Sequence, residues 1–261
     1  MISISIVTYN NATTIEETLS SLLTHCPKQY LTEIYLIDNH SSDTTKTILK
    51  SYTEQFSNII LIQNEKNVGY GRGQNLAIRR VKSQYHILCN PDIIITTDIF
   101  SELISYMKKN KDVGVIYPKT LNTDRSIQYL NKRPPTVLDL VLRRFCPKLI
   151  KSLFKNRLDK YEMKDVGYDF IYDVPFASGS FMFCRTDVLQ KVNGFDERYF
   201  LYLEDFDLCR KIQNQGFRTV YNPTVNVIHH WERASYKNIK MTAIHAISTI
   251  HYFNKWGWKW C

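Results

Sequence analysis

Four apolar, β-branched runs in the first ninety residues constrain the fold most: Ile2–Thr8, 33–38, Ile59–Gln63 and Tyr85–Cys89. Runs that are apolar throughout, rather than at every second position, suit strands buried on both faces. Such strands belong to parallel sheets covered by helices. Between them the spacing predicts helices over 12–25, capped by Asn10 or Asn11, then after Ser42 or Asp43, over 71–81 and over 97–110. A further strand is expected at 113–117. The alternation predicts an α/β protein with a mostly parallel central sheet flanked by helices. In open sheets of this kind ligands bind beyond the carboxyl ends of the strands. The residues found there are polar: Thr8-Tyr9-Asn10, Asp38-Asn39, the stretch 64–75, and Asn90-Pro91-Asp92.

Each group has a chemical and a bland reading. Asp38 could accept hydrogen bonds from a ribose or base, or simply fix its turn. Asn67-Val-Gly69-Tyr-Gly71-Arg72-Gly73-Gln-Asn75 could cradle a diphosphate at a helix N-terminus, or be a tight turn. Asp92 could hold a hard divalent cation through oxygen, or belong to an Asn-Pro turn. Glu204-Asp205-Phe206-Asp207 puts three acids at a helix start, where the dipole favours them. The aromatic run before it, 199–202, also makes it a place to raise a carboxyl pKa and keep a general base. His229-His230-Trp231 could ligate a metal or be structural.

The second half reads less regularly. A strand is expected over 173–185, crossing Ser178-Gly179-Ser180, then a helix over 204–215 and strands near Thr219 and over 225–228. A last helix from about Lys237 leads into Trp256-Gly-Trp-Lys-Trp260. Three regions follow: 1–120; 121–233, with an amphipathic, partly helical insertion at 131–172; and the tail 234–261. The net charge of +9 concentrates in this half. Residues 132–164 carry ten Lys and Arg against three acids, and after Arg233 there are four Lys and no acid. That excess points to an anionic partner, a lipid surface or lipid diphosphate, rather than nucleic acid, because no nucleic-acid module accompanies it. Lys255 and Lys259 alternate with tryptophans, which suits a membrane interface. No run of 18 apolar residues and no signal peptide are seen, and six scattered cysteines suit a reducing compartment. The expected location is cytoplasmic, peripheral on the inner face of the membrane.

Taken in order, Ser5-Ile-Val-Thr-Tyr-Asn10, Ile37-Asp-Asn-His-Ser-Ser-Asp43, the Asn67–Asn75 turn, Asn90-Pro-Asp92, Ser178-Gly-Ser180 and the stretch 194–208 resemble the inverting family 2 glycosyltransferases of the GT-A fold. The likeness is to their rhamnosyltransferase-like branch. It implies that Thr8, Tyr9, Asn10, Asp38, Asn67, Gly69, Arg72, Asn75 and Asn90 bind a nucleotide-diphosphate sugar, dTDP- or UDP-linked. It implies a divalent metal, Mg²⁺ or Mn²⁺, on Asp92 and His229, and Asp205 as catalytic base supported by Glu204. Asp207, Tyr202, Ser178 and Gly179 would face a saccharide or lipid-linked saccharide acceptor. Asn90 departs from the family's D-x-D, which leaves open a catalytically degenerate nucleotide-sugar-binding protein.

Overall fold

The computed structural model describes residues 1–230 and 239–261; Trp231 and Lys237 lie outside them. Strands β1 (Ile2–Thr8), β2 (Leu31–Asp38), β3 (Ile59–Gln63) and β4 (Tyr85–Cys89) form as the apolar runs dictate and lie parallel, in the order β3-β2-β1-β4. Helices α1 (Ile15–His25), α2 (Thr45–Gln55) and α3 (Tyr70–Ile78) connect them. Every residue of β1 is buried, as a strand covered on both faces requires. Its two serines are satisfied internally, Ser5 Oγ by Gln74 Oε1 (2.5 Å) and His86 Nε2 (2.8 Å), and Ser3 Oγ by His86 Nδ1 (2.7 Å). Burial holds His86 down to about 3, so this seam is neutral.

Beyond β4 the sheet changes character. Strands β5 (Ile93–Ile94), β6 (Val113–Leu121), β7 (Tyr172–Asp173), β8 (Phe181–Arg185) and β9 (Arg218–His229) extend it, with α4 (Phe100–Lys109) before β6. β8 slots between β4 and β6 and is antiparallel to both, while β6 and β9 are parallel. The nine-stranded sheet therefore runs β3-β2-β1-β4-β8-β6-β9-β5, with β7 on β9. Two expectations need correction. The strand expected over 173–185 is two strands, because 174–180 leaves the ladder around Pro175 and Gly179. The two strands expected within 219–228 are one, β9. It absorbs Pro223, which cannot donate to a ladder, in a bulge: Pro118 pairs with Asn222 but Lys119 with Asn226.

One core, with Ile2, Ile4, Ile6, Leu19, Phe100 and Leu103, covers one face of the sheet. The other, with Leu88, Val115, Phe195, Leu208 and Ile212, covers the opposite face and receives α9 (Glu204–Asn214). Alternate residues of β4 enter the two cores, Tyr85, Ile87 and Cys89 on one side and Leu88 on the other. Residues 131–172 fold as α5 (Val137–Phe145), α6 (Lys148–Leu153) and α7 (Lys155–Tyr161), and α8 (Thr186–Lys191) follows β8. Thr136 and Asp139 form a capping box at the start of α5. The last helix, α10 (Ile239–Trp256), packs Tyr252 and Phe253 into the second core. The tail beyond it turns back, so that Val137 N donates to Lys259 O (2.8 Å) and Leu138 N to Trp260 O (3.1 Å).

Candidate active site

Antiparallel pairing of β4 with β8 builds the site's floor. Cys89 faces Phe181, so the chain just before β8 lies beside the chain just after β4. Asn90 N donates to Ser180 O (2.9 Å), placing Ser178-Gly179-Ser180 against Asn90-Pro91-Asp92. β5 then pairs with the end of β9, Ile93 opposite His229, and His230 N donates to Asp92 O (2.9 Å). These two pairings bring His229 Nε2 to 3.3 Å from Asp92 Oδ1. The acids enter from α9. Tyr202 (φ 72°) and Leu203 (φ 64°) are consecutive left-handed residues, a costly turn for bulky side chains that aims the first turn of α9 into the same cleft. Asp205 Oδ2 accepts from Gly179 N (3.0 Å) and Oδ1 from Phe206 N (2.9 Å).

The cleft encloses about 360 Å³, and Asn90, Asp92, Ser178, Gly179, Tyr202, Glu204, Asp205 and His229 all line it. Burial raises the pKa of both Glu204 and Asp205, and the Asp205 charge raises Glu204 further. Glu204 Oε2 is buried with no hydrogen-bond partner among the described residues, whereas Asp205 accepts two backbone N–H bonds that favour its anion. The pair therefore keeps a proton on Glu204 and the charge on Asp205. That is the state a general base requires.

His229 has its tautomer set from behind. Gln128 Nε2 donates to His229 O (2.8 Å), which turns Gln128 Oε1 toward His229 Nδ1 (2.9 Å). Nδ1 then carries a proton, and in the neutral ring the Nε2 lone pair faces the buried Asp92 Oδ1, an atom with no hydrogen-bond partner among the described residues. Two electron-rich atoms pointed at each other across 3.3 Å suit a divalent cation between or beside them. Mg²⁺ or Mn²⁺ needs only one or two protein ligands when phosphate oxygens and waters complete its shell. The residues present thus fit such an ion, although no group of three or more metal-ligating side chains occurs among the described residues.

Other expected residues are placed differently. Thr8 and Asp38 are neighbours at the ends of β1 and β2, but both are fully buried, and the Asp38 carboxylate accepts from Ser41 N (3.2 and 3.3 Å). Asp38 thus holds its own turn, and Asp43 Oδ1 accepts from Thr45 N (3.1 Å) just ahead of α2, whose N-cap, Thr44, makes no side-chain cap bond. Tyr9 and Asn10 are exposed beside them, with Asn10 Oδ1 accepting from Ser42 N (2.8 Å). None of these four lines the 360 Å³ cleft.

The glycine-rich turn also serves as a brace. Asn67 Oδ1 accepts from Gly69 N (2.9 Å), and a Cβ on Gly69 (φ 89°) would fall 2.3 Å from Phe200 O. Asn75 bonds Phe195 through both its backbone N (2.8 Å) and O (2.9 Å), and reaches Glu197 Oε1 (3.1 Å). Arg72 is paired with Glu197 (3.1 Å). These side chains, expected on a donor diphosphate, hold the segment that leads to α9. Asp207 also departs from expectation. Its Oδ1 accepts from Trp256 Nε1 (2.8 Å) and Lys255 Nζ (2.7 Å), which fastens α10 rather than an acceptor. Two tail residues expected at a membrane interface, Lys255 and Trp256, are thereby tied to the protein body.

Several residues that line the cleft or hold its side chains escaped the sequence reading. Tyr70 donates from its hydroxyl to Gly179 O (3.1 Å). Gln128 has no local signal, since only the 121–131 excursion beside β6 returns it to His229. Leu140, Arg143 and Arg144 line the cleft together with Lys132, Tyr161 and His245. Their i, i+3, i+4 spacing on α5 was the available signal.

Comparison with known proteins agrees with this geometry. The family described as Glycosyl transferase family 2 matches residues 3–192, and Glycosyl transferase family group 2 matches 148–240. The chain is 27% identical over 241 residues to the N-acetylglucosaminyl-diphospho-decaprenol L-rhamnosyltransferase of Mycobacterium tuberculosis, covering 86% of this chain and 74% of that one. It is 28% identical over 194 residues to the rhamnosyltransferase WbbL of Escherichia coli strain K12, covering 70% and 69%. Among solved structures it overlays GalNAc-T7 with UDP, GalNAc and Mn²⁺ at a TM-score of 0.66 and 18% identity. That overlay covers 89% of this chain but less than half, 44%, of the other, and it shows the GT-A fold. With a family match over most of its length, the chain belongs to glycosyl transferase family 2, on the side of its rhamnosyltransferase-like members.

Proposed function

We propose that this protein transfers a rhamnose-like or other hexose from a nucleotide-diphosphate sugar to a saccharide acceptor, with inversion, in the synthesis of a bacterial cell-surface polysaccharide or lipopolysaccharide. The carrying observation is that Asp205, its carboxylate accepting two backbone N–H bonds, shares one cleft with Asp92 and His229. Asp205 takes the proton of an acceptor hydroxyl as its oxygen attacks the anomeric carbon. The bond to the diphosphate oxygen breaks with its electron pair leaving on the diphosphate, and one displacement inverts the centre. A divalent cation on Asp92 and His229 would offset the charge of that leaving group. Glu204, kept protonated by burial, leaves Asp205 as the one anion of the pair.

The names of the rhamnosyltransferase relatives support a rhamnose-like sugar, and that of the mycobacterial relative supports a lipid-linked saccharide acceptor. No helix among the described residues is long and apolar enough to cross a membrane; a lipid-linked acceptor would be met at a membrane surface. The alternative, a binding protein without catalysis, has Asn90 in its favour but leaves Asp205, set in the cleft by two backbone N–H bonds, without a task.

Calorimetric titration with dTDP, UDP and GDP, each with Mn²⁺ and with chelator, tests the reading. We expect one diphosphate to bind better with metal, with Asp92→Ala removing that gain of about tenfold or more and Asp205→Asn keeping it. Failure of all three to bind would favour the non-catalytic alternative.

A further inference from the structure

The turn that delivers Asp205 is strained, and one helix grips it from both ends. Tyr202 (φ 72°) and Leu203 (φ 64°) are bulky residues in consecutive left-handed conformations. Such backbone persists only where surrounding contacts over-determine it. Asp205 follows in the first turn of α9, so the direction of its carboxylate depends on that pair. Its own bonds, from Gly179 N (3.0 Å) and Phe206 N (2.9 Å), reach neither Tyr202 nor Leu203.

The contacts come from α10. Ahead of the turn, Lys255 Nζ pairs with Asp196 Oδ2 (2.9 Å), and the His251 ring meets that of Tyr199 edge to face, centroids 6.2 Å apart. At the turn, Ser248 Oγ donates to Leu201 O (2.8 Å), and the His245 ring centroid lies 5.2 Å from that of Tyr202. Beyond it, Asp207 N donates to Leu203 O (2.9 Å). The fully buried Asp207 carboxylate takes Trp256 Nε1 (2.8 Å) and Lys255 Nζ (2.7 Å) on Oδ1, while Oδ2 has no hydrogen-bond partner among the described residues. A buried carboxylate is costly to part from its cation, so this tie is firm. Lys255 thus clasps one acid on each side of the turn. We propose that Lys255 and Trp256 are positioning residues for Asp205: through Asp196 and Asp207 they hold the left-handed turn that aims its carboxylate into the cleft. Neither lines the cleft, so they act through the turn and not on a substrate. The proposal rests on the reading of Asp205 as base given above.

Trp256→Phe deletes one N–H and keeps an aromatic ring; Lys255→Met deletes the cation and keeps most of the stem, with Lys255→Arg as the conservative control. Each is made in the wild-type chain and in Asp205→Asn, and melting curves check folding. Ser248→Ala, which deletes only the bond to Leu201 O, gives the same readouts in a milder variant. The first readout needs no substrate: amide hydrogen exchange in peptides spanning 199–207. We expect exchange there to quicken about tenfold in Trp256→Phe and Lys255→Met, with β1 unchanged. The second is release of nucleoside diphosphate from dTDP-rhamnose, UDP-glucose or GDP-mannose, whichever the wild type turns over, beside the affinity for that diphosphate. Each substitution should lower turnover about 10- to 100-fold with diphosphate affinity unchanged, as for a misplaced catalytic group. Lys255→Arg should stay close to wild type, and in Asp205→Asn neither substitution should lower the residual rate further. Exchange unchanged over 199–207 overturns the proposal, and so does an equal factor lost with and without Asp205. Near-normal turnover in Asp205→Asn alone is a separate result: it contradicts the base reading itself, and the positioning role falls with it.

Discussion

Gln128 shows how one neutral side chain can decide what a histidine offers. Two hydrogen bonds, one to the backbone carbonyl of His229 and one to its Nδ1, fix both the amide and the ring. The lone pair of Nε2 is thereby turned toward Asp92. Replacing Gln128 with Leu frees the ring to place its proton on Nε2 and bond Asp92 instead, which closes the pair to a cation. The expected result is metal-assisted diphosphate binding weakened about 10- to 100-fold, as for other residues that orient metal ligands, with metal-free binding unchanged. Calorimetry with and without Mn²⁺ reads this directly, and an unchanged metal gain would remove Gln128 from that role. No periodicity or motif marks Gln128 in the sequence. The acids Glu204 and Asp205 could be read as a cluster, but which of them holds the proton could not. That depends on the backbone N–H groups of Gly179 and Phe206, one of them contributed across the fold.

At the scale of elements, legibility followed burial on both faces. β1, β3 and β4 have the bounds expected of them because a continuous apolar run has no other comfortable place than a covered parallel sheet. The second half misled because its strands are governed by partners rather than by their own pattern. Pro223 reads as a break, yet the neighbouring β6 accommodates it through a register shift. Ser178-Gly179-Ser180 reads as strand, yet its backbone serves Asn90 and Asp205. The glycine-rich turn was legible as a turn, while its partner, the 195–200 segment, was not. The insertion was legible as basic and amphipathic. In the fold many of its charges pair internally, as Arg133 with Asp165 and Arg157 with Asp139. Its exposed apolar side chains include Leu149 and Leu153, and the tail's Trp258 and Trp260 are exposed as well, the tail reaching the start of α5 through Lys259 and Trp260. Co-sedimentation with vesicles should therefore rise with anionic lipid and fall markedly in a Leu149→Ser/Leu153→Ser variant, each buried Leu being worth about 1.5–3 kcal/mol at most. Binding indifferent to both changes would contradict a membrane contact through this face.

Across the whole molecule the sheet's change of direction makes the site. A purely parallel sheet would carry the chain away after β4. Inserting β8 antiparallel folds Ser178-Gly179-Ser180 back onto Asn90, and pairing β5 with β9 returns His229 to Asp92. The second core then delivers α9, so that residues more than a hundred positions apart meet in one cleft. The central claim is that Asp205 removes the acceptor proton there. Its most direct measurement is the turnover of Asp205→Asn beside its affinity for the nucleoside diphosphate that the wild type binds. A general base contributes about 10²–10⁴ in rate, so turnover should fall by that factor with nucleotide affinity nearly unchanged. Near-normal turnover in Asp205→Asn would contradict the assignment and return Asp205 to the place of an ordinary acid at a helix start.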